Sequence, residues 1–300
     1  FTIYLMRRIF TLILSMATAA VGFAQVRIAT PGTELVLKAE KGSELQIQYF
    51  GGRLSDADVQ VLEAAGVPNH NAYQPYGIWC SWESALEVTH ADGNLSTVLK
   101  VEAVSNVEEP TAKVTRIRLK DTVYPFYVTV CYRAYQDVDM IETWTEIENL
   151  EKKPVTLTRF DSGYLPIRVG DVWVSHLHGT WAAEGNLVQE PLERGMKVIK
   201  NKDGTRNSHT DHAEVMFSLD GKPQENAGRV IGAALCYSGN YELRIDTRDT
   251  DYHQFFAGIN PDNSSYKLEP KEVFKTPELA LTYSDEGLSG ASPVSYTHLR

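Results

Sequence analysis

The chain has 300 residues, of which 43% are hydrophobic and 23% are charged, a composition typical of folded globular proteins and unlike that of a disordered chain. Its 39 acidic residues outnumber its 29 basic residues, which gives a net charge of -10. Because phosphate binding needs clustered positive charge, this balance argues against a nucleic-acid partner.

Residues 1–24 have the pattern of a signal peptide with a few residues upstream of it. Met6-Arg7-Arg8 precedes sixteen uncharged residues, and these end in Gly22-Phe23-Ala24, with small side chains where a signal peptidase acts. We interpret 1–5 as sequence upstream of the start at Met6. The apolar stretch is short for a bilayer, and no later stretch reaches the ~20 apolar residues of a spanning helix. The sequence therefore predicts export to the periplasm or the extracellular space, with no membrane span.

Residues 25–292 are predicted to form one all-β domain, a large antiparallel β-sandwich with one short helix. Ser55, followed three residues later by Asp58, predicts the start of that helix, and Gly66 with Pro68 predicts its end. Three segments with period-two alternation predict adjacent antiparallel strands: 126–132, 141–147 and 155–160. Three Asp-Gly pairs predict tight hairpin turns between strands: Asp92-Gly93, Asp203-Gly204 and Asp220-Gly221. Alternating βαβ units are missing from the pattern, which argues against a parallel sheet.

The three cysteines allow at most one internal disulfide. Cys80, Cys131 and Cys236 are far apart in the sequence and form no C-x-x-C motif, so zinc-ribbon and thioredoxin chemistry have no support. Cys236 follows the apolar run 230–235, which predicts a buried and inert thiol. Residues 293–300 lack the strand or helix pattern expected next, and we interpret them as a non-native tail.

Two histidine motifs and one row of glutamates are candidates for chemistry. His176-Leu177-His178 and His209-Thr210-Asp211-His212 have spacings that could converge on a metal ion, but exposed or hydrogen-bonded histidines explain them better. Glu142, Glu146 and Glu148 share one strand face, which is typical of a solvated surface. We therefore expect no metal and no cofactor, and we assign no catalytic residue to this chain.

The tryptophans offer a different chemistry, because sugar rings stack their apolar C–H faces on aromatic planes. Trp79 and Trp82 flank Cys80-Ser81 in an irregular stretch, and Trp181 follows Gly179-Thr180 in a loop-like segment. Each of these could instead belong to the core. Trp144, which alternates inside a predicted strand, is expected to be buried.

From about residue 26 to residue 292 the chain resembles the N-terminal β-sandwich domain of glycoside hydrolase family 36 α-galactosidases, a supersandwich like that of galactose mutarotases. The resemblance depends on the order and spacing of several short motifs. These are His90-Ala91-Asp92-Gly93-Asn94-Leu95-Ser96, Gly179-Thr180-Trp181, Tyr237-Ser238-Gly239-Asn240, Gly258-Ile259-Asn260-Pro261, the stretch 268–278 beginning Leu268-Glu269-Pro270, and the stretch 283–290 beginning Tyr283-Ser284-Asp285.

The resemblance implies a secreted retaining hydrolase of terminal α-linked galactose, in which one Asp forms a covalent glycosyl intermediate and a second Asp acts as acid and base. In that family both belong to a (β/α)₈ barrel that follows the sandwich, and the nucleophile segment K-W-D-x-N does not occur in these 300 residues. The sandwich walls the sugar pocket and supports oligomer formation. Trp181 matches a family tryptophan that contacts galactose, so it is the substrate-binding residue that we expect here.

One family feature is replaced in this sequence. The family's G-D-[FY]-R-x-P loop, which reaches a neighbouring subunit, corresponds to Gly77-Ile78-Trp79-Cys80-Ser81-Trp82-Glu83, without its Asp and Arg. The implied partners are α-galactosides of the raffinose or melibiose type and further copies of the chain. Two alternatives stay open: a stand-alone carbohydrate-binding or structural β-sandwich without catalysis, and a family relative that acts on α-N-acetylgalactosamine.

Overall fold

The computed structural model describes residues 25–64, 70–78, 83–206 and 209–292. The predicted signal peptide, the predicted end of the first helix, Trp79, Cys80, Trp82 and the predicted tail lie outside these ranges. The described helices are α1 (Asp56–Ala64) and α2 (Gly287–Ala291). The described strands are β1 (Gln25–Ala29), β2 (Thr33–Lys38), β3 (Gln46–Gly52), β4 (His70–Asn71), β5 (Leu86–Thr89), β6 (Leu99–Glu108), β7 (Ala112–Asp121), β8 (Phe126–Tyr135), β9 (Ile141–Asn149), β10 (Val155–Ile167), β11 (Trp173–Thr180), β12 (Ala183–Pro191), β13 (Gly195–Lys200), β14 (Asp211–Ser218), β15 (Val230–Cys236), β16 (Tyr241–Asp249), β17 (Tyr252–Ile259), β18 (Tyr266–Leu268), β19 (Val273–Lys275) and β20 (Glu278–Ser284).

These strands form three sheets, and the named strands pair antiparallel throughout the described ranges. A four-stranded sheet has the order β1-β2-β3-β4. A six-stranded sheet has the order β13-β16-β17-β10-β18, with β5 also pairing β10. A ten-stranded sheet has the order β12-β11-β14-β15-β20-β9-β8-β7-β6, with β19 also pairing β9. The predicted antiparallel β-sandwich is therefore confirmed.

Two clusters of buried side chains hold the sheets together. One cluster includes Leu86 of β5, Val128 of β8 and Phe256 of β17, and the other includes Phe217 of β14 and Phe255 of β17. Neighbouring residues of β17 therefore serve different clusters, because successive strand side chains point to opposite faces. Each such large apolar side chain stabilises the fold by about 1.5–3 kcal/mol relative to exposure.

The three strands predicted as neighbours do not all share a sheet. β8 and β9 pair as predicted, with Phe126 opposite Asn149. β10 instead crosses to the six-stranded sheet, where it pairs β17, β18 and β5. The prediction that it lies beside β9 was wrong, because the second edge of β9 is occupied by β20 and β19, which come more than a hundred residues later.

The predicted helix α1 begins with the expected capping box. The backbone N–H of Asp58 donates to Ser55 Oγ at 3.2 Å, and the N–H of Ser55 donates to Asp58 Oδ2 at 3.1 Å. The structure adds a second short helix, α2, whose first residue Gly287 has a φ of +74°. Sequence patterns missed α2 because five residues are too few to show a helical period.

Glycines 93, 204 and 221 all have positive φ, as their Asp-Gly pairs predict. Of the three pairs, Asp220-Gly221 connects two strands that pair with each other, β14 and β15. The hairpin prediction was wrong for Asp92-Gly93 and Asp203-Gly204, which connect strands of different sheets. The dipeptide therefore fixes the local backbone and leaves the strand pairing open.

Two of the three cysteines lie in the described ranges. Cys131 is buried and Cys236 is exposed at the end of β15. The prediction that Cys236 is buried was wrong, because successive side chains of a strand point to opposite faces: Ala233 and Leu235 join a buried cluster, and Cys236 lies on the other face. No helix in the described part of the chain is long and apolar enough to cross a membrane.

Candidate functional site

The hairpin of β11 and β12 carries Trp181 at its tip. The strands pair from Trp173 opposite Pro191 to Thr180 opposite Ala183, so Trp181 and Ala182 form a two-residue turn. Trp181 is 88% exposed, which is unusual for so large an apolar residue. It is therefore not a buried loop anchor, and its aromatic faces are open to a ligand. The contact between Trp181 and a sugar stays a prediction.

Close backbone packing shapes this tip. A Cβ added at Gly179 would lie 2.5 Å from Glu184 Cα, so only glycine fits between the two strands there. The N–H of Gly179 donates to Thr210 O at 2.6 Å, which ties the hairpin to the segment before β14. Ala182 has a φ of +61°, and its N–H donates to Glu184 Oε1 at 3.0 Å. The turn that presents Trp181 is thus anchored on both sides.

His178 lies beside this turn and pairs with Asp211. Nδ1 of His178 is 2.8 Å from Asp211 Oδ1, and the two residues face each other across β11 and β14. The His178 side chain is 48% exposed and that of Asp211 is 17% exposed. Because an ionised carboxylate can only accept a hydrogen bond, Nδ1 of His178 is the donor, and in the neutral imidazole Nε2 is then an acceptor.

The other histidines of the two motifs do not join this pair in a metal centre. His176 is buried, and neither ring nitrogen has a hydrogen-bond partner among the described residues, although Glu190 Oε1 lies 3.5 Å from Nε2. Burial, followed by the charge of Lys197, lowers the pKa of His176, so its neutral form is favoured. His212 Nδ1 lies 3.7 Å from Glu214. Within the described ranges no three potential ligands converge on one point.

The glutamate row of β9 pairs with arginines of neighbouring strands. Glu142 bonds Arg133 at 2.7 Å, and Glu148 bonds Arg118 at 2.7 Å. Glu146 accepts two bonds from Arg116, at 3.0 and 2.5 Å. Burial alone would raise the pKa of Glu146, but the Arg116 bonds and one from Trp144 outweigh it and hold that pKa below its ordinary value.

The ion pairs with arginine account for the row of glutamates on β9, and no catalytic role is needed to explain it.

Trp144 is buried, as predicted, but on the outer face of the ten-stranded sheet. It packs with Val114 and Cys131 in a cluster separate from the two main ones. The Arg133 guanidinium carbon lies 5.0 Å from the centre of its ring, and Lys275 Nζ lies 4.9 Å from it. These cations cover the ring and keep it from a ligand.

The six-stranded sheet contains a buried charge network that the sequence did not predict. Arg244 of β16 donates to Asp161 Oδ2 at 2.6 Å and to Glu83 Oε2 at 2.7 Å. Its Nε lies 3.1 Å from Glu242 Oε1, and Arg159 donates to the same oxygen at 3.0 Å. The sequence does show charged residues that alternate with Leu243 and Ile245. A strand with one face in water has the same pattern, so the pattern alone does not predict a buried network.

A model of the family described as "Glycosyl hydrolase family 36 N-terminal domain" matches residues 43–269. Alpha-galactosidase AgaA of Geobacillus stearothermophilus is 30% identical over 184 residues, which cover 61% of this chain and 25% of the relative. Alpha-galactosidase Mel36A of Lactobacillus acidophilus is 30% identical over 185 residues, 62% of this chain and 25% of the relative. The chain thus aligns with about a quarter of the length of each.

Solved structures agree with this match. The crystal structure of the GH36 alpha-galactosidase AgaA superposes with a TM-score of 0.83 at 24% identity, over 90% of this chain and 42% of the other. Variants of AgaA in complex with stachyose and with raffinose superpose with a TM-score of 0.82 at 23% identity, covering 91% and 90% of this chain and 42% of theirs. These structures show the shared fold.

Proposed function

We propose, from the premise that this chain belongs to the family of glycoside hydrolase family 36 N-terminal domains, that it is the sandwich of an exported α-galactosidase. The matched relatives are named α-galactosidases, and the chain spans about two fifths of the solved ones. Its part in the enzyme is to wall the galactose pocket and to support the association of subunits. Residues 1–24 direct export, and the domain comprises 25–292.

The exposed side chain of Trp181 is the observation that carries this proposal. A tryptophan with 88% exposure at a hairpin tip offers a flat apolar surface, and galactose has an apolar C–H face that can stack on it. The backbone of the turn is held by the close packing at Gly179 and by the bond to Glu184, so it loses little conformational entropy when a sugar binds. The ligands proposed are α-galactosides of the raffinose or melibiose type. Relatives of this fold have been crystallised with raffinose and stachyose.

The bond-breaking chemistry belongs to a barrel that follows the sandwich in the proposed enzyme. A retaining mechanism needs two carboxyl groups ~5–5.5 Å apart, one as nucleophile and one as acid and base. The carboxylates of this chain that lie near arginines are held in ion pairs, as in the β9 row and the Arg244 network. The sandwich therefore contributes binding energy and exclusion of water, while the barrel contributes both aspartates.

Binding of methyl α-galactoside to the purified chain tests the platform. We expect Trp181→Ala to weaken binding about tenfold or more, because stacking on an aromatic ring is lost, while the melting temperature changes little. Val123→Ala is the matched control, since Val123 is 75% exposed after β7, near the opposite end of the ten-stranded sheet. A loss of ~3 kcal/mol or more of stability in Trp181→Ala would instead identify a structural tryptophan.

Turnover tests the assignment of the chemistry. The 300-residue chain is expected to release no nitrophenol from a nitrophenyl α-galactoside. Turnover that persists after stringent purification would contradict the assignment of both aspartates to a barrel. Sequencing the gene beyond codon 292 separates this proposal from a stand-alone carbohydrate-binding sandwich: a barrel with two suitable aspartates supports the enzyme, and an early stop codon supports the alternative.

A further inference from the structure

His178 lies at a doubly irregular point of its strand. The register with β12 shifts between His178 and Thr180, and the register with β14 shifts between His176 and His178. Bulges of this kind turn a side chain away from the direction that regular pleating would give it, and they are common next to ligand sites. At this point the side chain is half exposed, three residues before Trp181.

The Asp211 carboxylate fixes the orientation of the His178 ring. Nδ1 donates to the partly buried carboxylate of Asp211 at 2.8 Å, which selects the tautomer of the neutral ring that leaves Nε2 as an acceptor. The bond from the Gly179 N–H to Thr210 O holds the backbones beside this pair together. The pair and the tryptophan turn are thus connected by hydrogen bonds.

Three Cα–Cα steps of 3.80 Å limit the Cα separation of His178 and Trp181 to about 11 Å. Both side chains extend from the backbone by several ångströms more, so a single hexose or a disaccharide can reach both. Sugar recognition combines an apolar surface for the ring with oriented polar groups for the hydroxyls. Trp181 supplies the first of these, and the Nε2 of His178 is placed to supply the second.

We propose that His178 accepts, at Nε2, a hydrogen bond from one hydroxyl of the galactoside that stacks on Trp181, with Asp211 as the residue that positions the ring. This inference rests on the proposed function, because it names a second contact in the same sugar site. His178 therefore contributes to sugar specificity, since a sugar without a hydroxyl at that position leaves the nitrogen without its partner.

Binding of methyl α-galactoside and its monodeoxy analogues to the 300-residue chain, followed by ligand-observed NMR, tests this contact. We expect His178→Ala to weaken binding of the parent sugar about three- to tenfold, the usual effect of one hydrogen bond. His178→Gln, which keeps an acceptor, should restore part of this loss. His209→Ala, which removes an exposed histidine of the neighbouring motif, is the matched control and should bind like the wild type.

The deoxy analogues identify the contact itself. For one analogue, loss of the hydroxyl should weaken binding to the wild type about three- to tenfold relative to the parent sugar. His178→Ala should bind that analogue and the parent sugar equally well. Asp211→Asn should reduce discrimination against that same analogue, which a purely structural role of Asp211 would not do. Melting temperatures within a few degrees of the wild type show that the variants are folded.

The outcomes separate the two proposals. If Trp181→Ala weakens binding and His178→Ala does not, the histidine contact is refuted and the aromatic platform stands. If both variants bind like the wild type, or if the wild type binds no galactoside, the platform is refuted and the histidine contact fails with it. The contact would also be refuted if His178→Ala weakened the binding of every deoxy analogue by the same factor as it weakens binding of the parent sugar.

Discussion

Replacing Arg244 by Met should be among the most destabilising single changes in this domain. The Arg244 side chain is 3% exposed and bonds Asp161 and Glu83, and it also donates to Ser84 O at 3.0 Å. Met fills a similar volume without the charge, so Asp161, which is itself buried, is left without its closest cation. Breaking a buried ion pair in this way costs about 3–5 kcal/mol.

That loss corresponds to a fall in melting temperature of about 6–20 °C, because 1 kcal/mol shifts the midpoint of a domain of this size by about 2–4 °C. Urea unfolding followed by tryptophan fluorescence measures the free energy directly. Arg194→Met is the matched control, since Arg194 bonds Asp249 at 2.8 Å with both side chains mostly exposed. An exposed pair of this kind contributes about 0–1 kcal/mol, so the control should unfold almost like the wild type.

Two further measurements sharpen the test. The deficit of Arg244→Met should shrink as the pH falls, because protonation neutralises the carboxylate that has lost its partner. The double variant Arg244→Met/Asp161→Leu should recover part of the loss, since it removes both charges together. The reasoning is refuted if Arg244→Met stays within about 1 kcal/mol of the wild type at neutral pH.

Three more changes probe the hairpin tip and the outer face. Gly179→Ala should cost about 1–3 kcal/mol in urea unfolding and weaken galactoside binding, because its Cβ meets Glu184 Cα. Trp144→Ala should cost about 3–5 kcal/mol yet leave galactoside binding unchanged, because this ring is buried away from the tip. The folded-state pKa of Glu146 is lowered, so its contribution is present above the unfolded pKa and is lost as pH falls through the folded value. Glu146→Gln should therefore unfold more easily than the wild type at pH 7, and this difference should shrink as the pH falls through the folded-state pKa.

Features that depend on neighbours in the sequence were predictable. The capping box at Ser55 needs only a side chain three residues away, and the positive φ of Gly93 needs only its own backbone. The β8–β9 hairpin follows from alternation on both sides of a short connection. Each of these is decided within about twenty residues, so the local pattern contains the necessary information.

Features that depend on distant segments were not predictable. The place of β10 is decided by β20, whose pairing with β9 closes the edge that β10 would otherwise use. Arg244 and Asp161 are 83 residues apart, and His178 and Asp211 are 33 apart. Alternation in the sequence predicts which face of its strand each of these residues occupies. It does not predict the residue of another strand with which each of them pairs.

The hairpin tip departs from what stability alone would select. An exposed tryptophan leaves a large apolar surface in water, and the positive φ of Ala182 costs about 1–2 kcal/mol that glycine would avoid. Local bonds from Glu184 and Thr210 offset this cost and keep the turn in one conformation. Strain that is maintained by surrounding contacts is typical of ligand sites, where it fixes a side chain in its binding geometry before the ligand arrives. The positive φ of Ala182, the exposed ring of Trp181 and the nearby His178–Asp211 pair together support the proposal that this tip recognises a sugar.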